Sequence, residues 1–408
     1  MKKRIMAIIA LLICAVSASA FGYIFEKTDQ GVRLAWDFAA NDGAHANATQ
    51  VIYHLNCAFN VAAANQDQCH TLFDNSFGTW ESVPTTSIAF LNGGDSAQTT
   101  AGSDSINLLL FVENDPDLSG NVIALTTTFY DIDGSILDSD IRFNASRFNF
   151  FDSTAANYQS LQGIATHEIG HVIGLDHSMV AYVGNALTPS IIATMFFAAV
   201  PGMDQENLKQ DDKSGISAIY PNSSATPEGA VTGTVTNNTG PIFGTHVTLL
   251  DSATGVPLVA SVSGPDGNYS IQWVPTGQSY KALCEPIMYP STLAPYYQNV
   301  QTSYNPVLYN NHQLTSFADA APPSAVFAAA ETIAVTSEAP ITSINCVVNY
   351  APPHPDLLLK EGGGGSGCGC SMEDPKSGLD WVWLILAVGP IFVLRLAKKW
   401  LGRMPKFL

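Results

Sequence analysis

The sequence predicts an α+β fold followed by an antiparallel β-sandwich and a C-terminal hydrophobic helix, and three observations predict it. Between residues 21 and 222, runs rich in β-branched and aromatic residues are interspersed with helical stretches at 65–82, 155–173 and 205–220. From 227 to 352, short β-rich runs alternate with turn clusters such as Asn238-Thr239-Gly240-Pro241 and Pro265-Asp266-Gly267-Asn268. From Trp381 to Leu394 the chain is apolar without interruption.

The elements follow in chain order. Residues 1–20 read as a secretory signal peptide, with Lys2-Lys3-Arg4, an apolar run over 5–16 and an Ala18-Ser19-Ala20 exit. Cys14 follows Ile13 rather than a small residue, so cleavage after Ala20 is preferred to a lipoprotein reading. Strands at 32–38, 87–90, 106–112, 122–130 and 135–143 make a twisted sheet on which the three helices pack, and about two hundred residues suffice for one sizeable core. The sandwich runs over 227–352, with residues 287–340 as a long irregular excursion and a closing strand at 343–349. Residues 353–380 form a Pro/Gly/Cys-rich linker, 381–397 a transmembrane helix and 398–408 a basic cytoplasmic tail.

The chemistry concentrates in His167-Glu168-Ile169-Gly170-His171-Val172-Ile173-Gly174-Leu175-Asp176-His177. Residues four apart share a helix face, so His167 and His171 can offer imidazoles to one zinc ion, while Glu168 sits beside the open position as general base. Gly174 permits the left-handed turn that returns His177 as the third ligand. Three neutral imidazoles leave the ion dipositive with a vacant fourth position, which lowers the pKa of its water to roughly 7. The alternative is an amphipathic helix carrying ordinary histidines. A bare His-Glu-x-x-His leaves that open, and the longer pattern argues against it.

The eleven-residue string resembles the metzincin signature, and its surroundings are similar to a matrixin-like zinc peptidase. Ala193-Thr194-Met195-Phe196 resembles the Met-turn, with Met195 as a hydrophobic floor and not a ligand. The 208–220 stretch resembles the matrixin closing helix, whose paired Asp211 and Asp212 would be structural. Similar matches run through Thr79-Trp80-Glu81-Ser82-Val83, Ser87-Ile88-Ala89-Phe90 and Asp138-Ser139-Asp140-Ile141-Arg142-Phe143-Asn144, so the resemblance covers about 21 to 221.

It implies a mixed sheet, one catalytic zinc and endopeptidase activity on extracellular proteins. It further implies a substrate-pairing rim at residues 122–128 and a primed-side pocket walled by Phe196, Phe197 and Pro201. Residues 126–144 contain no histidine, so the second, structural zinc of many animal matrixins is not expected. Asp131, Asp133, Asp138 and Asp140 are either calcium ligands or turn and surface residues. No cysteine lies between residue 20 and Cys57, so a cysteine-switch latency is not expected.

An even set of four cysteines in an exported body predicts the bonds Cys57–Cys69 and Cys284–Cys346, with a zinc–cysteine site as the alternative. A formal charge of −18 argues against a nucleic-acid partner. Residues 227–286 resemble a carboxypeptidase regulatory-like domain. Tyr296, Tyr297, Tyr304 and Tyr309 in the excursion either contact a polymer or simply pack. The tail, with Cys368 and Cys370 before the apolar helix and Arg395, Lys398, Lys399, Arg403 and Lys406 after it, resembles bacterial C-terminal sorting tails read by a membrane protease; a plain anchor is the alternative. Either way the expected location is the bacterial cell envelope or surface. The rival functions are an envelope adhesin or scaffold with a degenerate peptidase domain, and a highly selective processing peptidase. Oligomeric state is not legible.

Overall fold

A computed structural model of the chain describes residues 23–38, 50–226, 228–337 and 339–349. The expected signal peptide, Cys368 and Cys370, the 381–397 helix and the basic tail lie outside these residues. Among the described residues no helix is long and apolar enough to cross a membrane.

The first sheet contains β1 (Val51–Asn56), β2 (Phe90–Asp95), β3 (Leu108–Val112), β4 (Ala124–Tyr130) and β5 (Ile136–Asn144) in the order β2-β1-β3-β5-β4. All neighbours are parallel except β4, which runs antiparallel to β5 and forms one edge. β3 reads Leu-Leu-Leu-Phe-Val because a central parallel strand is covered on both faces. Helix α1 (Gln66–Glu81) buries Cys69, Phe73, Phe77 and Trp80, a three-to-four-residue spacing that aims one stripe at the sheet. Phe73 meets Phe143 at 5.2 Å and Phe77 stacks on Tyr53 at 3.6 Å. Trp80 Nε1 donates to Thr166 O at 2.8 Å, tying α1 to α2 (Leu161–Val172). A short hairpin of β6 (Tyr182–Val183) and β7 (Ala186–Leu187) precedes α3 (Gln210–Ile219).

Four expectations shift. Residues 32–38 make only single bridges, Lys27 to Arg33 and Ala35 to Ser135, because the Trp36 N–H is taken by Tyr220 Oη and cannot join a ladder. β1 is an additional strand. β2 begins at Phe90 and continues through Asn92-Gly93-Gly94, residues poor in strand propensity that the open edge of β1 nevertheless recruits. Both later helices start about five residues further on than their apolar pattern suggests. Ser160 caps α2 by accepting from Gly163 N, and Asp212 accepts from Lys209 N at the head of α3.

The remaining strands are β8 (Gly229–Asn237), β9 (Gly240–Pro241), β10 (Thr245–Asp251), β11 (Pro257–Val262), β12 (Asn268–Val274), β13 (Ser279–Pro286), β14 (Val307–Leu308), β15 (His312–Gln313), β16 (Ile333–Ala334) and β17 (Cys346–Val347), with α4 (Ala325–Ala329) before β16. They form one sheet ordered β11-β10-β13-β14-β15, with β16 on β13, and a second ordered β12-β8-β17, with β9 on β8. Pairing is antiparallel except between β17 and β8, where it is parallel. The bonds Cys57–Cys69 and Cys284–Cys346 are both formed, as expected. The excursion after β13 is packed rather than free: Tyr297 and Tyr304 are buried, Tyr304 donating to Thr245 Oγ1 at 2.8 Å, so neither can touch a polymer. These sheets also grip the first half, since Ala260 N donates to Asp211 Oδ1 at 2.8 Å and Ser214 Oγ donates to Trp273 O at 2.8 Å.

Candidate metal centre

Helix α2 carries His167 and His171 one turn apart, and their Nε2 atoms lie 3.3 Å from each other. Two nitrogens each about 2.0–2.1 Å from a tetrahedral zinc would be roughly 3.3–3.4 Å apart. The helix ends at Gly174, whose φ of +91° is the left-handed conformation that a residue without Cβ takes readily. A Cβ there would also strike the Leu34 carbonyl. The turn delivers His177, and the three rings sit with centroids 5.0, 5.5 and 4.9 Å apart. Among the described residues they form the one cluster of three or more potential metal-binding side chains.

Each ring has its Nδ1 against a backbone carbonyl: Thr194 at 2.7 Å for His167, Leu175 at 2.8 Å for His171 and Thr292 at 2.7 Å for His177. A carbonyl only accepts, so each Nδ1 carries its proton and each Nε2 lone pair is left for a metal. Nε2 of His177 is buried with no hydrogen-bond partner among the described residues, which is costly unless a cation fills the space. Burial lowers His167 to about 3, with His171 adding to the shift, and it lowers His177 well below the usual imidazole value. Both rings therefore stay neutral. This donor set fits zinc.

Glu168 is fully buried beside the rings, and burial raises its pKa above the usual carboxylate value. Its Oε2 accepts from Thr126 Oγ1 at 2.6 Å, while Oε1 has no partner among the described residues. Thr126 belongs to β4, so the edge strand expected as the substrate rim also aims the glutamate. Beneath the rings lies Met195. A Cβ on Gly170 would collide with its sulfur and come within 3.0 Å of Trp80, so the glycine inside the motif is demanded by the methionine floor. Asp212 fixes that floor by accepting from Thr194 N at 2.9 Å, Met195 N at 3.0 Å and Lys209 N at 2.8 Å. Its neighbour Asp211 accepts from Ser178 Oγ at 2.7 Å as well as from Ala260 N.

Residues 45–221 match the family model described as Matrixin. No curated protein matches the chain. Among solved structures, the chain is similar to high choriolytic enzyme 1, a hatching enzyme zinc-protease from Oryzias latipes (medaka fish). The identity is 11%, covering 46% of this chain and 94% of that one, with a TM-score of 0.25. The matrixin match spans the three histidines, Glu168, Thr126, Gly174, Met195 and the paired aspartates. With the histidine triad it supports a zinc metalloprotease.

The matrixin-like region places the other expected residues as follows. Phe197 is buried 6.4 Å from the His177 ring, whereas Phe196 is core and Pro201 is exposed on a turn, so only Phe197 faces the site. The four candidate calcium aspartates do not converge. Asp131 and Asp133 accept from Ile132 N and Ser135 N in an exposed turn. Asp138 and Asp140 are buried on β5 and accept from backbone N–H groups of the 102–108 loop. Burial, with Asp138 adding to it, pushes Asp140 up to about 8.

Three contributors had no sequence signal. Thr126 is one of three consecutive threonines in a strand. Glu26 lies outside the motif, yet its Oε1 is 3.2 Å from His171 Nδ1. Thr292 acts through a backbone carbonyl, which any residue type could offer.

Proposed function

We propose that the chain is a zinc-dependent endopeptidase in which His167, His171 and His177 hold the metal and Glu168 is the general base. The observation that carries this reading is the convergence of three Nε2 atoms, each on a ring whose Nδ1 is satisfied, beside Glu168, whose Oε1 has no partner among the described residues. Bound zinc supplies a Lewis acid for the scissile carbonyl and lowers the pKa of water near it. Glu168 Oε1 takes the proton of the attacking water and later delivers it to the leaving amine. Thr126 keeps the carboxylate turned toward that position, and its raised pKa suits a group that must hold a proton between the two steps.

An extended substrate adds along the free edge of β4, and Phe197 favours an apolar side chain on the primed side. We read the C-terminal sheets as the accessory sandwich. Residues 1–20 direct export, and the tail retains or sorts the protein at a bacterial envelope. Two disulfides accord with an oxidising compartment.

The test is Glu168→Gln in the full chain, assayed on a random peptide library. Zinc content should remain at one equivalent while turnover falls by at least roughly 10²–10⁴. Cleavage equal to the parent would overturn the assignment of Glu168. A folded parent that binds no zinc would overturn the centre itself.

A further inference from the structure

We propose that residues 288–297, in the irregular segment between β13 and β14, are a positioning element of the metal centre, so that the centre is complete only with this segment docked. The inference rests on the zinc reading above. The three imidazoles are not held alike. His167 and His171 ride on α2 and give their Nδ1 protons to carbonyls of the matrixin-like region, whereas His177 lies beyond the helix and gives its proton to Thr292. The neighbour of His177 is clamped from the same side. Ala294 N donates to Asp176 Oδ2 at 2.8 Å, while Asp176 Oδ1 accepts from His177 N at 2.7 Å. One carboxylate therefore joins the backbone of the third ligand to the segment that orients its ring.

The segment is built to hold this position. Tyr289 adopts a left-handed φ of 51° and starts a turn closed by Thr292 N and Thr292 Oγ1, which both donate to its carbonyl, at 2.9 and 2.8 Å. Its ring lies 4.7 Å from that of Phe197, the side chain facing His177. Leu293, Ala294 and Tyr297 are buried with Ile24, Ile192 and Phe196 of the first half. Tyr297 Oη donates to Phe25 O at 3.3 Å. Mere packing would not require the two polar contacts to fall on the ligand and on the residue before it. Removing such an outer partner of a metal-bound histidine typically weakens metal binding roughly 10–100-fold.

The test uses two full-chain variants. Ala294 has φ −49° and ψ 148° and precedes Pro295, so Ala294→Pro keeps the backbone conformation and deletes the N–H given to Asp176. Leu293→Ala loosens the same segment without touching a ligand. Zinc affinity is measured by chelator competition, and the cobalt-substituted protein gives an absorption spectrum that reports ligand geometry. We expect affinity to fall roughly 10–100-fold with an altered cobalt spectrum in protein that remains folded. Folded variants with parental affinity and spectrum would overturn the proposal while leaving the zinc reading intact. A parent that binds no zinc would overturn both. Should the variants unfold, hydrogen exchange of the parent decides: zinc must slow exchange at residues 292–297 more than in β8, because coupling between metal and segment is reciprocal. Equal slowing would overturn the proposal.

Discussion

Asp212→Ala should destabilise the full chain by about 3–5 kcal/mol and weaken zinc binding, although Asp212 touches neither metal ligand nor substrate. The carboxylate receives three backbone N–H groups at 2.8–3.0 Å, from Thr194, Met195 and Lys209. Hydrogen bonds to a charged group contribute about 1.5–3 kcal/mol each, and their simple sum overstates the loss because a buried carboxylate is itself costly to desolvate. That cost is visible in its pKa, which burial raises against the pull of the same three donors. What remains after truncation is three buried donors without acceptors, and about 3–5 kcal/mol is usual for breaking a buried charged cluster.

The effect on the metal passes through Thr194, whose N–H is held by Asp212 and whose carbonyl orients His167. Asp212→Asn keeps one oxygen and turns an amide toward Met195 N or toward the other pair, so about 2 kcal/mol is expected. Urea unfolding of parent and variants gives the stabilities. Chelator competition gives the affinities, expected to drop about tenfold for the alanine variant. A stability loss below about 1 kcal/mol for Asp212→Ala, or unchanged zinc affinity in folded protein, would refute the reasoning.

Two further outcomes follow from the same site. Gly170→Ala forces Met195 and Trp80 to move and should cost about 1–3 kcal/mol by overpacking; a neutral effect in urea unfolding would show that the floor yields freely. Zinc affinity should fall only gently on acidification between pH 6 and 4.5. Each imidazole that must shed a proton adds one to the slope of log affinity against pH, and His167, held at about 3, and His177, held well down, shed none there. A slope of three or more, as for three exposed imidazoles, would contradict the burial argument.

The three clustered histidines and Glu168 were legible because they share an eleven-residue string in which helical periodicity and one glycine turn fix the geometry locally. Met195 and the paired aspartates could be read by resemblance, and the Gly170–Met195 contact explains physically why motif and turn go together. Thr126, Glu26 and the Thr292 carbonyl could not be read, since each is brought in by tertiary packing and none bears a distinctive residue pattern. The same distinction governs the fold. α1 and β3 carry complete apolar patterns and formed where expected, whereas Asn92-Gly93-Gly94 pairs only because β1 offers an edge. Residues 32–38 look like a strand but spend the Trp36 amide on a tyrosine hydroxyl. The resemblance puts Pro201 on the pocket wall, whereas the turn it occupies leaves it exposed to solvent.

The carbonyl that receives the His177 proton lies 115 residues further along the chain. A ribosome adding about 5–20 residues per second produces the third imidazole roughly 6–23 s before Thr292 exists. During that interval the motif is present but one ring has no fixed tautomer or direction. If the 288–297 segment is the positioning element proposed above, chain order acts as a clock: the centre is complete only once residue 292 has been made and packed against His177.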